Sequence, residues 1–205
     1  MDALRQRGAS GRKQPSRAWR KDEGAVRLGI EPFRQGELDS LCGIYAIINA
    51  LYALCPEMDG ELAEALFRKL VGALSQHVER PIGTLYDGLG QAAVEGLLGI
   101  AATEVRRELE IRVKVVTYTP PAPRPSLGEF WKDLRSHVHR RQVAILGLSG
   151  VHEHWTVGYA VTEKLIRLLD SDEHHVLRRS RCTVSRARTR FRIDPAAVIL
   201  VKRGK

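Results

Sequence analysis

Gln35-Gly36-Glu37-Leu38-Asp39-Ser40-Leu41-Cys42-Gly43-Ile44-Tyr45-Ala46, running on through Ile47, Ile48, Leu51 and Leu54, is the stretch whose reading decides the fold. Its apolar residues recur at helical spacing over Leu41 to Leu54, which predicts a largely buried helix, and Asp39 or Ser40 is placed to cap its start. Cys42 then falls in the first helical turn. Unpaired backbone N–H groups and the helix dipole favour an anion there, so the position suits a thiolate, the nucleophilic form of cysteine. Gly43 beside it is expected to leave room for a substrate backbone.

Working outward, Glu61 to Leu74 reads as an amphipathic helix through Leu62, Leu66, Leu70 and Leu74. Thr84 to Leu98 reads as another, and residues 102 to 110 as a further short one. The period then changes to two at Ile111, Val113, Val115 and Thr117, a strand that the proline-rich stretch from Pro120 to Pro125 terminates. Leu127 to Arg140 returns to helix. Strands are expected at Val143–Leu148, Trp155–Val161, Leu165–Leu169, Thr183–Ile193 and Ala197–Val201. Helices first and strands afterwards predict an α+β fold, with N-terminal helices packed on a C-terminal antiparallel sheet.

The sheet region supplies the partners that a thiol nucleophile needs. His154-Trp155 opens one apolar strand and Asp170 closes the next, after Leu168-Leu169. A hairpin turning about Thr162 would set His154 directly opposite Asp170, with Cβ atoms about 5 Å apart. The aspartate would then accept a hydrogen bond from one imidazole nitrogen and aim the other at the sulfur. A register slip of one residue would break the pair. His152 and Asp172 are rivals for the two roles. With His174 and His175 they also raise a zinc reading, which no further ligand spacing supports. Gln35, together with the Cys42 N–H, is a candidate donor to an oxyanion; losing one such donor costs about 3 kcal/mol of transition-state stabilisation.

In this order, Gln35, Cys42-Gly43, His154-Trp155 and Asp170 give the chain a resemblance to the papain-like cysteine peptidase superfamily, especially its small bacterial C39-like members. The resemblance covers residues 30 to 200 in arrangement and only these short segments in sequence. It implies a papain-like fold and a Gln35–Cys42–His154–Asp170 site that cleaves a peptide or isopeptide bond, with Gly43 and Trp155 at the substrate and no cofactor. Transglutaminase-like and arylamine acetyltransferase enzymes share the Cys, His, Asp order, but usually over a shorter interval than that between Cys42 and His154. Deamidases and acyltransferases use the same machinery on side chains.

Bulk properties set limits. The 205 residues carry a net charge of +9, yet residues 1–23 hold seven basic and three acidic residues, and residues 178–205 ten basic and one acidic. Taken from the totals of 33 and 24, these leave 16 basic and 20 acidic residues for 24–177, so the basic character sits at the ends. Residues 1–25 lack an apolar run and are expected to form a disordered basic tail, with a single domain over 26–205. Arg186, Arg188, Arg190 and Arg192 alternate with less polar residues. A strand there would carry four guanidinium groups on one face, a surface for an acidic or nucleic-acid partner or simply a solvated edge. The second functional reading is accordingly a non-catalytic nucleic-acid-binding or adaptor protein. Cys42, Cys55 and Cys182 have neither even number nor C-x-x-C spacing, against a disulfide framework or structural zinc. With no apolar signal and no segment of membrane-spanning length, the expected location is the cytoplasm, or outside by export without such a signal.

Overall fold

Alternating side chains along the strands and a continuously apolar first helix give the chain its layers, seen in a computed structural model that describes residues 19–22, 25–28, 31–35, 40–79, 88–186 and 190–204. Two units are present, Met1–Glu31 and Pro32–Lys205. In the first, β1 (Trp19–Asp22) pairs antiparallel with β2 (Ala25–Leu28). This strand pair falls across the end of the stretch read as a tail; residues 1–18 lie outside the described residues.

The second unit is α+β. Helices α1 (Cys42–Leu54), α2 (Gly60–Gly72), α3 (Leu74–His77) and α4 (Gln91–Leu109) precede β3 (Val113–Thr117), and α5 (Leu127–His137) follows it. Then come β4 (Gln142–Gly150), β5 (His154–Val161), β6 (Leu165–Leu169), β7 (Val176–Arg178), β8 (Cys182–Thr183) and β9 (Phe191–Arg203). These seven strands form one sheet in the order β3-β9-β4-β5-β6-β7. All neighbours are antiparallel except the two-residue β8, which runs parallel to β9. Among the described residues no helix is long and apolar enough to cross a membrane.

The sheet is covered on both faces, which is why its central strands read as near-continuous apolar runs. Ala144, Leu146 and Leu148 of β4, with Ile166, Leu168, Val198 and Leu200, pack with Phe130, Trp131 and Leu134 of α5. The intervening Val143, Ile145, Val157, Ile199 and Val201 are equally buried, and α1 packs on β4, β5 and β9. Every residue of α1 but Tyr45 is buried, since α2 and α4 cover the helix on its other sides.

Three sequence expectations change. Thr84–Leu98 and 102–110 were read as separate helices, whereas one helix runs from Gln91 to Leu109 and residues 80–87 lie outside the described part. Thr183–Ile193 does not form one strand. β8 ends at Thr183, Arg186 and Arg190 stand in the connection, and β9 takes in both Phe191–Ile193 and the strand expected at Ala197–Val201. The single arginine face therefore does not form, and Arg188 lies outside the described residues. Finally, Leu41 stands at the N-cap of α1, which begins at Cys42, where Asp39 or Ser40 was expected; Asp39 lies outside the described residues.

Candidate functional site

The first turn of α1 points Cys42 at the mouth of the sheet. Leu41, at the N-cap, offers the helix start no side-chain hydrogen bond. Cys42 is 8 % exposed and lines a pocket of about 350 Å³, whereas Cys55 and Cys182 are both fully buried at 0 %. Burial also pushes the Cys182 thiol up to about 11, so at neutral pH it stays a thiol. All three cysteines are free.

Across from the sulfur, at the first position of β5, stands His154. Its Nε2 is 2.8 Å from Asp170 Oδ2, and the two side chains are only 4 % and 1 % exposed. With Nε2 committed to the carboxylate, Nδ1 is the nitrogen left for Cys42, whose side chain interacts with the ring. Burial alone would keep the imidazole neutral. Its hydrogen bonds to Asp170 and Cys42, and the charges of both, outweigh burial and raise its pKa to about 9. Asp170 shows the converse balance: burial works to raise its pKa, but His154, the Thr156 hydroxyl and the Asp172 N–H together lower it.

The β5–β6 pairing behind this contact differs from the expected one. Thr162 N–H donates to Leu165 O at 2.8 Å and the Thr162 hydroxyl accepts from Leu165 N–H at 3.1 Å, so the turn spans Thr162–Leu165 instead of centring on Thr162. Val161 pairs with Ile166, but a bulge between Gly158 and Ala160 shifts the register, and Gly158 pairs with Leu168. Extended by two residues, that register places Asp170 opposite Thr156 and diagonal to His154. Relative to a direct pairing of His154 with Asp170, the turn shifts the register by three residues and the bulge returns it by one; the net shift of two preserves the face, because side chains alternate with a period of two. Without the bulge at Tyr159, Asp170 would point to the other side of the sheet. The turn is itself anchored, since Trp131 Nε1 of α5 donates to Thr162 O at 2.7 Å.

Asp170 also holds its own loop. Its Oδ1 accepts the N–H of Asp172 at 2.8 Å and of His174 at 3.2 Å. His152 Nε2 lies 3.2 Å from Asp172 Oδ2, forming a second, half-exposed pair beside the buried one. The His152 and His174 rings stack with centroids 5.5 Å apart, and His152 stands 5.0 Å from His154. Burial, followed by the positive charge of His154, lowers the pKa of His152 and keeps it neutral. His154, and not His152, is thus the histidine at the sulfur. Among the described residues no group of three or more His, Cys, Asp or Glu side chains is arranged to hold a metal ion.

Gln35 is brought to this end of the molecule by its backbone N–H, which donates to Ser171 O at 3.1 Å, one residue past Asp170. Its side chain does not line the Cys42 pocket. The approach to Gln35 is fixed by Asn49, buried in the middle of α1, whose amide makes both bonds to Phe33: Phe33 N–H to Oδ1 at 2.8 Å and Nδ2–H to Phe33 O at 3.1 Å. The signal was legible, as Asn49 is the one amide in an apolar helical run.

Gly43 has a different purpose from the one expected. A Cβ there would meet Leu89 Cδ1 at 3.0 Å and Val94 Cγ2 at 3.1 Å, so the glycine faces helix α4 and lets the two helices close up; the space is filled by core side chains and is not open to a substrate. Trp155 does wall the pocket. Its Nε1–H donates to Leu89 O at 2.7 Å and its ring covers Gly147, where a Cβ would meet ring carbons at 3.3 Å and Ala197 Cβ at 2.9 Å. Gly88, with φ +77, precedes Leu89 in the same wall. The remaining wall comes from β9, where the register against β4 jumps between Leu146 and Leu148 and the intervening segment swings Asp194 and Ala197 to the pocket beside Arg192. Leu89, Gly147, Asp194 and Ala197 were not singled out in the sequence, because only the bulge and the Trp155 tether bring them to Cys42.

Comparison with models of known families, with curated proteins and with solved structures finds no match to this chain.

Proposed function

We propose that the protein is a thiol hydrolase of the papain-like kind, in which Cys42 attacks an acyl carbon, His154 transfers the proton and Asp170 orients the imidazole. The observation that carries this reading is the imidazole held between the Cys42 sulfur and the buried Asp170 carboxylate, with its pKa raised to about 9. At neutral pH such a ring is protonated and can donate a proton to a leaving group.

The reaction then follows from the positions. Attack by the Cys42 sulfur on a peptide or isopeptide carbonyl forms a tetrahedral intermediate whose oxygen is met by the Cys42 backbone N–H; Gln35, held nearby through Ser171 but outside the pocket lining, is the expected second donor that the pocket does not supply. His154 donates its Nδ1 proton to the leaving amine, and an acyl group remains on Cys42. The same nitrogen then accepts a proton from water as it attacks the thioester, which releases the acid and frees the thiol. No step needs a cofactor. Deamidation of a side-chain amide would differ only in the amine that leaves, and acyl transfer only in the nucleophile that replaces water. The buried His–Asp pair and the pocket at the sulfur together favour chemistry over an adaptor role.

Treatment with a peptide carrying a thiol-reactive electrophile tests this. Intact mass and peptide mapping should place one adduct on Cys42, and His154→Ala should slow its formation by about a hundredfold or more, the usual scale of a general base. Equal, slow labelling of all three cysteines would defeat the proposal.

A further inference from the structure

The chemistry above leaves unused the charge on the β9 side of the pocket. From Arg178 to Arg192 the sequence holds seven arginines and no acidic residue. β8 and β9 run parallel there, with Cys182 beside Phe191 and Thr183 beside Arg192, so Arg181 and Arg190 each immediately precede one of the paired positions Cys182 and Phe191. Arg181, Arg186 and Arg190 are exposed, and none forms an ion pair with a described carboxylate.

Arg192 links this surface to the nucleophile. It lines the pocket that Cys42 opens into, and its side chain is 31 % exposed. One Nη2 contact, 3.1 Å to Asp194 Oδ2, satisfies part of the guanidinium, while its buried Nε–H meets no acceptor among the described residues. A partly desolvated guanidinium binds a carboxylate more strongly than an exposed one does. Asp194 accompanies Arg192 in the pocket wall and the exposed Glu153 lines the same pocket, so the positive charge without a carboxylate partner lies beyond it, on Arg181, Arg186 and Arg190.

We propose that the substrate is an acidic polypeptide, with carboxylates on one side of the scissile bond seated on Arg192 and, beyond the pocket, on Arg181, Arg186 and Arg190. This assignment rests on the thiol hydrolase reading of Cys42. Nucleic acid fits the surface less well. The exposed large apolar residues among those described are Val115, Val116 and Val151, so no exposed aromatic platform accompanies the arginines for base stacking. A phosphodiester also offers no acyl carbon to the sulfur.

The test uses the full chain, a fluorescent Glu-rich peptide, its Lys-rich counterpart and a single-stranded oligonucleotide. Fluorescence anisotropy should show binding of the Glu-rich peptide in preference to the Lys-rich one, weakening as salt is raised. The same peptide should slow iodoacetamide labelling of Cys42. Arg186→Glu combined with Arg190→Glu, both in the exposed connection, should weaken peptide binding about tenfold, since exposed pairs are worth a few-fold each and reversal doubles the effect. Circular dichroism checks that the variant is folded, and Arg192→Gln alone should lower protection of Cys42 more than it lowers binding. Equal binding of both peptides, no effect of the double reversal in a folded variant, or oligonucleotide binding without protection of Cys42 by the acidic peptide would overturn the assignment. Slow labelling of Cys42 in the peptide-free protein is a separate result: it would remove the underlying chemistry and overturn both readings.

Discussion

Replacing Asp170 by asparagine isolates the effect of one charge, because the two side chains have nearly the same shape. The carboxylate, 1 % exposed, accepts from three directions: Oδ2 from His154 Nε2 at 2.8 Å, and Oδ1 from the N–H groups of Asp172 at 2.8 Å and His174 at 3.2 Å. An amide has a single oxygen. Turned toward the loop, it leaves its NH2 facing Nε2, and the imidazole must then keep its proton on Nδ1, against the sulfur, where it cannot take one from the thiol. Turned toward His154, it sets two loop N–H groups against NH2, at about 1–3 kcal/mol for each orphaned donor. The first arrangement costs less, so the wrong tautomer should dominate. His154 also loses the partner that outweighs its burial, and its pKa should fall from about 9 to near or below its ordinary 6.5. At about 1.4 kcal/mol per pKa unit, that is roughly 3 kcal/mol less stabilisation of the imidazolium, and the ring goes from almost fully to only partly protonated at neutral pH. The assay is the rate of iodoacetamide labelling of Cys42, mapped by mass spectrometry from about pH 5 to about pH 9, which reports the thiolate without requiring a substrate. A folded Asp170→Asn protein that labels at the wild-type rate across this range would refute the reasoning.

Raising the pH of the unaltered protein should have two consequences. His154 has a folded pKa above its unfolded value, so its contribution to stability is fully present below about 6.5 and is lost as pH rises through about 9; Asp170 has a depressed one, so its contribution is lost as pH falls below its ordinary 3.8. Urea midpoints followed across pH should therefore decline on both sides, and turnover should fall above about 9 as the imidazolium loses the proton it donates. Gly43→Ala should destabilise by about 1–3 kcal/mol through overpacking against Leu89 and Val94, read as a lower melting temperature, whereas an unchanged stability would reopen the view that space at Gly43 is free. Asn49→Leu removes both bonds to Phe33 and should cost about 1–3 kcal/mol in denaturant unfolding. If Gln35 assists the oxyanion, the same change should also lower kcat more than it raises KM.

The helix that presents Cys42, the α+β class and the choice of His154 and Asp170 follow from local pattern: a 3.6-residue period over Leu41–Leu54, a two-residue period in the strands, and a polar pair bounding two apolar runs. These are properties of neighbouring residues and need no knowledge of the fold. Four things depended on contacts between residues distant in sequence. The hairpin register came from the Thr162–Leu165 turn and the bulge at Tyr159, and two compensating shifts kept Asp170 on the face that the sequence had assigned it for a different reason. The purpose of Gly43 was set by α4, which lies some fifty residues downstream and fills the space the glycine leaves. The arginine alternation from Arg186 to Arg192 failed as a strand because β8 stops at Thr183 and β9 starts at Phe191, so only Arg192 reaches the pocket. Lastly, the raised pKa of His154 exists only because two partners distant in sequence act on one ring strongly enough to outweigh its burial. Sequence by itself determined which residues had the chemistry. Tertiary structure decided which of them meet, since side-chain direction in a sheet and free space beside a helix are fixed by register and packing across the whole chain.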